Sequence, residues 1–337
     1  MEKSKDMFSS NPKEIQIFKD LLEDSYSDYT LDNSFCVFKS INNIYYLICT
    51  NEKRTIISYD IIYNRKINEI LKAHEKYITN FRYYLDKINK RDLFLSISAD
   101  DNNLKLWNAN NFEKLLELKN INISGSLYSS CFLNYNKEIY IITSNCTFVP
   151  EIIKVFDMKG NKIKELKNSN DSTYFIDIYY DNKSLIYYII TGNQGYVKSY
   201  DFNKNDIYKK YCDNADECHD SIIVINQNEV IKLISSSKFG NIRIWDFNSG
   251  ILIDTIKVSN YYLVSICLWN NDYLFVGCGD KTLKLIDLQK GKTIKKFNGH
   301  NNSVVTIKKI IIPKFGECLI TQGYENNNIK LWINNIF

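Results

Sequence analysis

Three histidines (His74, His219, His300) and nine cysteines (Cys36, Cys49, Cys131, Cys146, Cys212, Cys218, Cys267, Cys278, Cys318) are the side chains of this 337-residue chain best suited to ligate a metal or start a nucleophilic reaction. A structural zinc site asks for thiolates or imidazoles paired at short spacing. The chain has no Cys-x-x-Cys, and its one cluster, Cys212, Cys218 and His219, leaves a gap wider than the knuckle that closes on zinc. Scattered cysteines, odd in number, fit buried free thiols in a reducing compartment. Catalysis needs a convergent nucleophile and base. No Gly-rich phosphate loop, His-Glu-x-x-His or Gly-x-Ser-x-Gly occurs. The residues predict no catalytic centre, no metal and no cofactor.

What, then, do the histidines serve? Hydrophobic residues make up 45% and aromatics 14%, enough to build a large core. The 25 Tyr and 18 Phe favour strands, while the frequent Asn and Asp favour turns. A formal charge of +4 without a basic block argues against a dedicated nucleic-acid binder. Apolar runs such as 185–190 are too short to span a bilayer, and the first twenty residues lack a signal-peptide pattern. The chain reads as a soluble intracellular protein, nuclear or cytoplasmic.

A short motif recurs: IISYD (56–60), LKLWN (104–108), IKVFD (153–157), VKSYD (197–201), IRIWD (242–246), LKLID (283–287) and IKLWI (329–333). Its anchors, Tyr59, Trp107, Phe156, Tyr200, Trp245, Ile286 and Trp332, are 41 to 49 residues apart. Six carry Lys or Arg two residues earlier, at Lys105, Lys154, Lys198, Arg243, Lys284 and Lys330. Upstream of each lies an apolar hairpin around a polar turn, such as VINQNEVIKLIS; downstream follows a fourth alternating run, such as KINEIL. Seven units of four strands predict an all-β, seven-bladed propeller of antiparallel blades. No unit keeps a helical period long enough for a helical solenoid.

These motifs resemble the WD40-repeat propeller family over about 33–337, with the full Trp-Asp pair at Trp245-Asp246. All three histidines sit where that family places its Gly-His, and Gly299-His300 keeps the glycine. The resemblance implies a buried structural tetrad of His, Ser or Thr, Asp and Trp. In the second blade these are His74, Ser96 or Ser98, Asp100 or Asp101, and Trp107. The fifth offers His219, Ser235 and Trp245, with Phe239 where the acid is expected; the seventh offers His300, Thr321 and Trp332, with Glu325 or Asn326 in its place. The sixth keeps Asp280 without a histidine.

The last unit stops after its third strand, which leaves an edge to cover. Within an N-terminal segment of 1–32, the run 13–22 alternates like the outer strands and is expected to complete blade 7; a short helix there is the alternative. Partners of this family commonly dock at the loops around one mouth of the channel. There the chain puts Tyr77, Phe148, Tyr174, Phe239, Tyr262 and Tyr324, with Lys238 and Glu325 beside them. Aromatics so placed suit an interface hot spot. The closest approach to the Phe-Arg-Arg-Gly of phosphoinositide-binding propellers is Phe81-Arg82-Tyr83-Tyr84. The arginine that ubiquitin-ligase receptors of the family carry after the Trp-Asp pair is replaced by Ile62, Lys159, Asn203, Asn248 and Gln289. Expected, therefore, is a non-catalytic scaffold for protein or peptide partners, with a structural subunit packed by its blade edges as the alternative.

Overall fold

The computed structural model describes residues 14–15, 34–51, 53–121, 126–146, 152–167, 172–213, 218–227, 229–324 and 329–333. Seven four-stranded antiparallel sheets run in sequence order: blade 1 over 36–70, blade 2 over 78–118, blade 3 over 126–167, blade 4 over 173–211, blade 5 over 222–257, blade 6 over 263–297 and blade 7 over 304–333. Among the described residues no helix is formed. First strands of successive blades touch around the whole circle, and blade 7 reaches blade 1, so the ring is closed. Blade 7 takes its fourth strand from Glu14–Ile15, paired antiparallel with Trp332 and Leu331. The rest of 13–22 lies outside the described residues.

The period of the sequence has a packing cause. Each of the seven blade interfaces holds one apolar cluster, and each motif anchor fills the interface with the blade before it: Tyr59 between blades 7 and 1, Trp107 between 1 and 2, Phe156 between 2 and 3, Tyr200 between 3 and 4, Trp245 between 4 and 5, Ile286 between 5 and 6, Trp332 between 6 and 7. One large side chain per interface is what a ring of wedge-shaped sheets requires. Emptying one would leave a cavity costing about 3–5 kcal/mol for an aromatic.

The residues flanking the anchor fix the two ends of the third strand. The carboxylate after the anchor closes the turn to the fourth strand: Asp60 accepts from the N–H of Ile62 (2.9 Å), Asp201 from Asn203 (2.9 Å) and Lys204 (3.1 Å), and Asp287 from Lys290 (2.9 Å). The cation before the anchor reaches the other way, to the loop that enters its own blade. Lys105 Nζ donates to Ala73 O at 2.7 Å, Lys284 to Val258 O at 3.0 Å, and Lys154 to Ile121 O. Within the channel Arg82 donates to Ser130 O (2.9 Å) and Ile176 O (3.0 Å), tying blades 2, 3 and 4 together.

A bulge recurs at the anchor. In blades 1 to 6 the register shifts there, leaving one extra residue on the outer strand: Ile67, Leu115, Ile163, Tyr208, Ile253 or Ile294. Tyr208 is half-buried with its ring stacked on Phe247, while the five aliphatic ones are exposed. Their outward direction follows from the bulge, which turns an extra residue away from the pairing pattern.

Candidate functional site

In blade 2 the strands Arg91–Ser98 and Asn103–Asn108 bring His74, Ser96, Asp101 and Trp107 into one buried chain of contacts. Trp107 Nε1 donates to Ser96 Oγ at 2.8 Å, and Ser96 Oγ lies 2.8 Å from His74 Nε2. His74 Nδ1 faces Asp101 Oδ2 at 3.5 Å. The proton order that fits these contacts runs Trp107 N–H to Ser96 and Ser96 O–H to His74 Nε2, which leaves the ring proton on Nδ1, on the side of Asp101 but not hydrogen-bonded to it. Asp101 also accepts from the N–H of Asn103 (2.9 Å) and Glu75 (3.1 Å), so it holds both the turn and the entering loop. Of the two adjacent acids it is Asp101 that meets the histidine, and of the two serines Ser96. Burial pushes the Asp101 carboxyl up, but His74 and the two backbone donors outweigh it and hold the group below the usual range. Burial lowers the pKa of His74 despite the opposing pull of Asp101.

Blade 7 repeats three members. His300 Nε2 lies 2.7 Å from Thr321 Oγ1, which accepts from Trp332 Nε1 at 2.7 Å. His300 Nδ1 has no hydrogen-bond partner among the described residues and lies over Gly323, where a β-carbon would come within 3.0 Å of it. Burial drives its pKa down to about 4. Glu325 and Asn326 are outside the described residues. In blade 5 His219 is buried and Trp245 Nε1 donates to Ser235 Oγ at 3.4 Å.

The position that Asp101 fills in blade 2, six residues before the anchor, is Phe239 in blade 5, and Phe239 is 56% exposed. Its turn is set by Gly240 at φ +81°, packed so closely on the next blade that a β-carbon would lie 2.1 Å from Ser259 O. Lys257 Nζ donates to Phe239 O at 2.7 Å, and Lys238 Nζ stands 5.0 Å from the centre of the Tyr174 ring. Tyr174 is the extra residue of a bulge on the first strand of blade 4, as Tyr128 is in blade 3, and their rings meet edge to face at 6.2 Å.

Among the other expected mouth residues, Tyr77, Tyr262 and Tyr324 are half-buried. The Tyr262 ring lies against Gly279 and its hydroxyl is 2.7 Å from Ser303 Oγ, so much of its surface is committed to packing. Phe148 falls outside the described residues. A residue not singled out by sequence, Tyr261, is 58% exposed beside a notch shared with Lys257, Asp280 and Lys284. Strand alternation points the other way, since counting back from the core residue Leu263 puts Tyr261 inward and Tyr262 outward. Cys212 is exposed, Cys218 half-buried and His219 buried. Among the described residues no three His, Cys, Asp or Glu are placed to hold a metal ion.

No protein-family profile matches the chain. A stretch of 105 residues, 30% of this chain and 30% of the relative, is 33% identical to the WD repeat domain-containing protein 83 homolog of Dictyostelium discoideum. Another of 112 residues, 33% of the chain, is 27% identical to the U3 small nucleolar RNA-associated protein 21 homolog of Schizosaccharomyces pombe, covering 12% of that protein. A third, 52% of the chain, is 24% identical to Autophagy-related protein 16 of Arabidopsis thaliana, over 33% of its length. The matched stretches thus span no more than a third of any of these relatives. With seven anchors in seven interfaces, the chain is a seven-bladed β-propeller that is similar over part of its length to a WD-repeat protein.

Proposed function

We propose that this propeller is a non-catalytic scaffold that holds a protein or peptide partner at the mouth formed by the loops before the first strand and between the second and third strands of each blade. The observation that carries this reading is Phe239, an exposed aromatic at a turn position that blade 2 gives to a buried structural acid. Tyr261 on the neighbouring loop, with Lys238 and Lys257 beside them, extends the patch across blades 5 and 6. Exposed aromatics on turns held by rigid sheets suit a binding hot spot. Against catalysis stands the use of the histidines: all three are buried, and His74 and His300 are engaged with a hydroxyl that also receives a tryptophan N–H.

The alternative, packing by blade edges inside a larger complex, finds support in the exposed aliphatics of the outer strands. The same strands carry lysines, among them Lys66, Lys114 and Lys162, each paired with a glutamate three residues on. Charged edges disfavour strand-to-strand association. The test is recovery of partners by tagged protein carrying Phe239→Ala with Tyr261→Ala, after its melting has been checked against the parent chain. Loss of partners supports the mouth; full recovery transfers the role to the edges or the other face.

A further inference from the structure

The face opposite the mouth carries a feature of different chemistry. Between blades 2 and 3 the turns 86–91, 135–138 and 157–161 enclose a notch of about 360 Å3 lined by the cations Arg91, Lys137 and Lys159, the acids Glu138 and Asp157, and the apolar Ile139, Met158 and Ile163. Lys87 and Lys90 belong to the same turn as Arg91 and are exposed. The acids of these turns are each held by donors: Asp86 accepts from Arg91 Nε and Asn89 Nδ2, both at 2.8 Å, Glu138 from the Tyr140 hydroxyl at 2.6 Å, and Asp157 from the N–H of Lys159 (2.9 Å) and Asn161 (2.8 Å), which leaves five cations against three carboxylates. Lys87, Lys90, Lys137 and Lys159 form no ion pair among the described residues. By contrast, lysines of the strands, such as Lys105 and Lys284, are each matched by a carboxylate.

Two apolar side chains flank these cations. Ile163, turned outward by the outer-strand bulge of blade 3, is 54% exposed, and Ile88, on the turn that carries Lys87 and Lys90, is 57% exposed. We propose that this notch is a second docking site, and that its occupant is a partner's peptide segment carrying carboxylates next to an aliphatic side chain. Five cations against three engaged acids supply the charge complementarity. The isoleucines supply an apolar anchor that a nucleic-acid backbone would not use, and the notch is too short to track one. Its presence is independent of the mouth. Holding one partner by aromatics on one face and another by lysines on the opposite face is what would let the ring join two proteins.

The test is fluorescence anisotropy of the full chain with a short labelled peptide of alternating Glu and Leu. Three comparators accompany it: the same peptide with Gln for Glu, phosphatidylserine vesicles, and a short oligouridine. The protein variants are Lys137→Glu with Lys159→Glu, its neutral counterpart Lys137→Gln with Lys159→Gln in case charge reversal disturbs folding, and Phe239→Ala with Tyr261→Ala. Expected is binding of the acidic peptide alone, weakened about tenfold or more by either lysine pair, weakened by salt, and untouched by the aromatic pair. Absence of peptide binding overturns the proposal. So does binding indifferent to Lys137 and Lys159, or tighter lysine-dependent binding of the vesicles or the oligouridine.

Discussion

Blades 2 and 5 use one turn position in opposite ways. Asp101 in blade 2 points inward, faces His74 and accepts two backbone N–H groups; Phe239 in blade 5 points into solvent while the turn is held by Gly240 and by backbone bonds around Ser237. The same strands, the same anchor tryptophan and a buried histidine surround both. The difference teaches that a repeat can release a position from its structural role when the turn is secured by other means. A polar network that must be satisfied in full occupies its acid; a turn fixed by glycine does not need one.

The largest contrast follows from removing each residue. Asp101→Ala strips partners from His74 and from the N–H of Glu75 and Asn103, at about 1–3 kcal/mol for each group left buried and unpaired. Phe239→Ala, at an exposed site, should stay within about 0.5 kcal/mol. Urea unfolding of the two variants measures the gap, and equal losses would remove the distinction between the blades.

Next come the histidines. His74→Ala should cost about 1–3 kcal/mol and exceed the loss from His300→Ala, because blade 2 places an acid against the ring. Similar losses at the two positions would mean that the acid adds nothing.

A pH series sharpens the point. The His300 pKa is lowered from 6.5 to about 4 by burial, so the unfolded chain binds the extra proton more readily. Its contribution is fully present above the ordinary value of 6.5, declines as pH falls below it, and is lost once pH passes below about 4. His74, also lowered, acts in the same direction. His300→Gln should flatten the fall in urea midpoint on acidification; an unchanged slope would show that this histidine is not held neutral. Smallest of the effects is that of salt on the mouth, where aromatic anchors predict a modest weakening of partner binding, against a steep one at the lysine notch.

Much of this was legible because the anchors recur: one large side chain per interface leaves a period that no turn variation hides, and ring closure follows from counting them. The tetrad of blade 2 was legible only to within a residue, since Asp100 and Asp101 are adjacent and the turn geometry decides which one meets His74. The pair Tyr261 and Tyr262 misleads for a related reason. Tyr262 stands next to the strand, yet its ring is spent on Gly279 and its hydroxyl on Ser303, while Tyr261 faces out. The exposed Ile67, Leu115, Ile163, Ile253 and Ile294 were not legible at all, because a bulge reverses the alternation from which burial is read. The lysine notch was invisible for another reason: its cations come from separate turns of two blades and form no run in the sequence.

The central claim is that the acid of blade 2 serves the fold and the phenylalanine of blade 5 serves a partner. Partner recovery by tagged Phe239→Asp, which gives blade 5 the residue type of blade 2, tests it most directly. The account predicts a melting temperature close to that of the parent chain with partners lost. Partners retained in full at that unchanged melting temperature would contradict it.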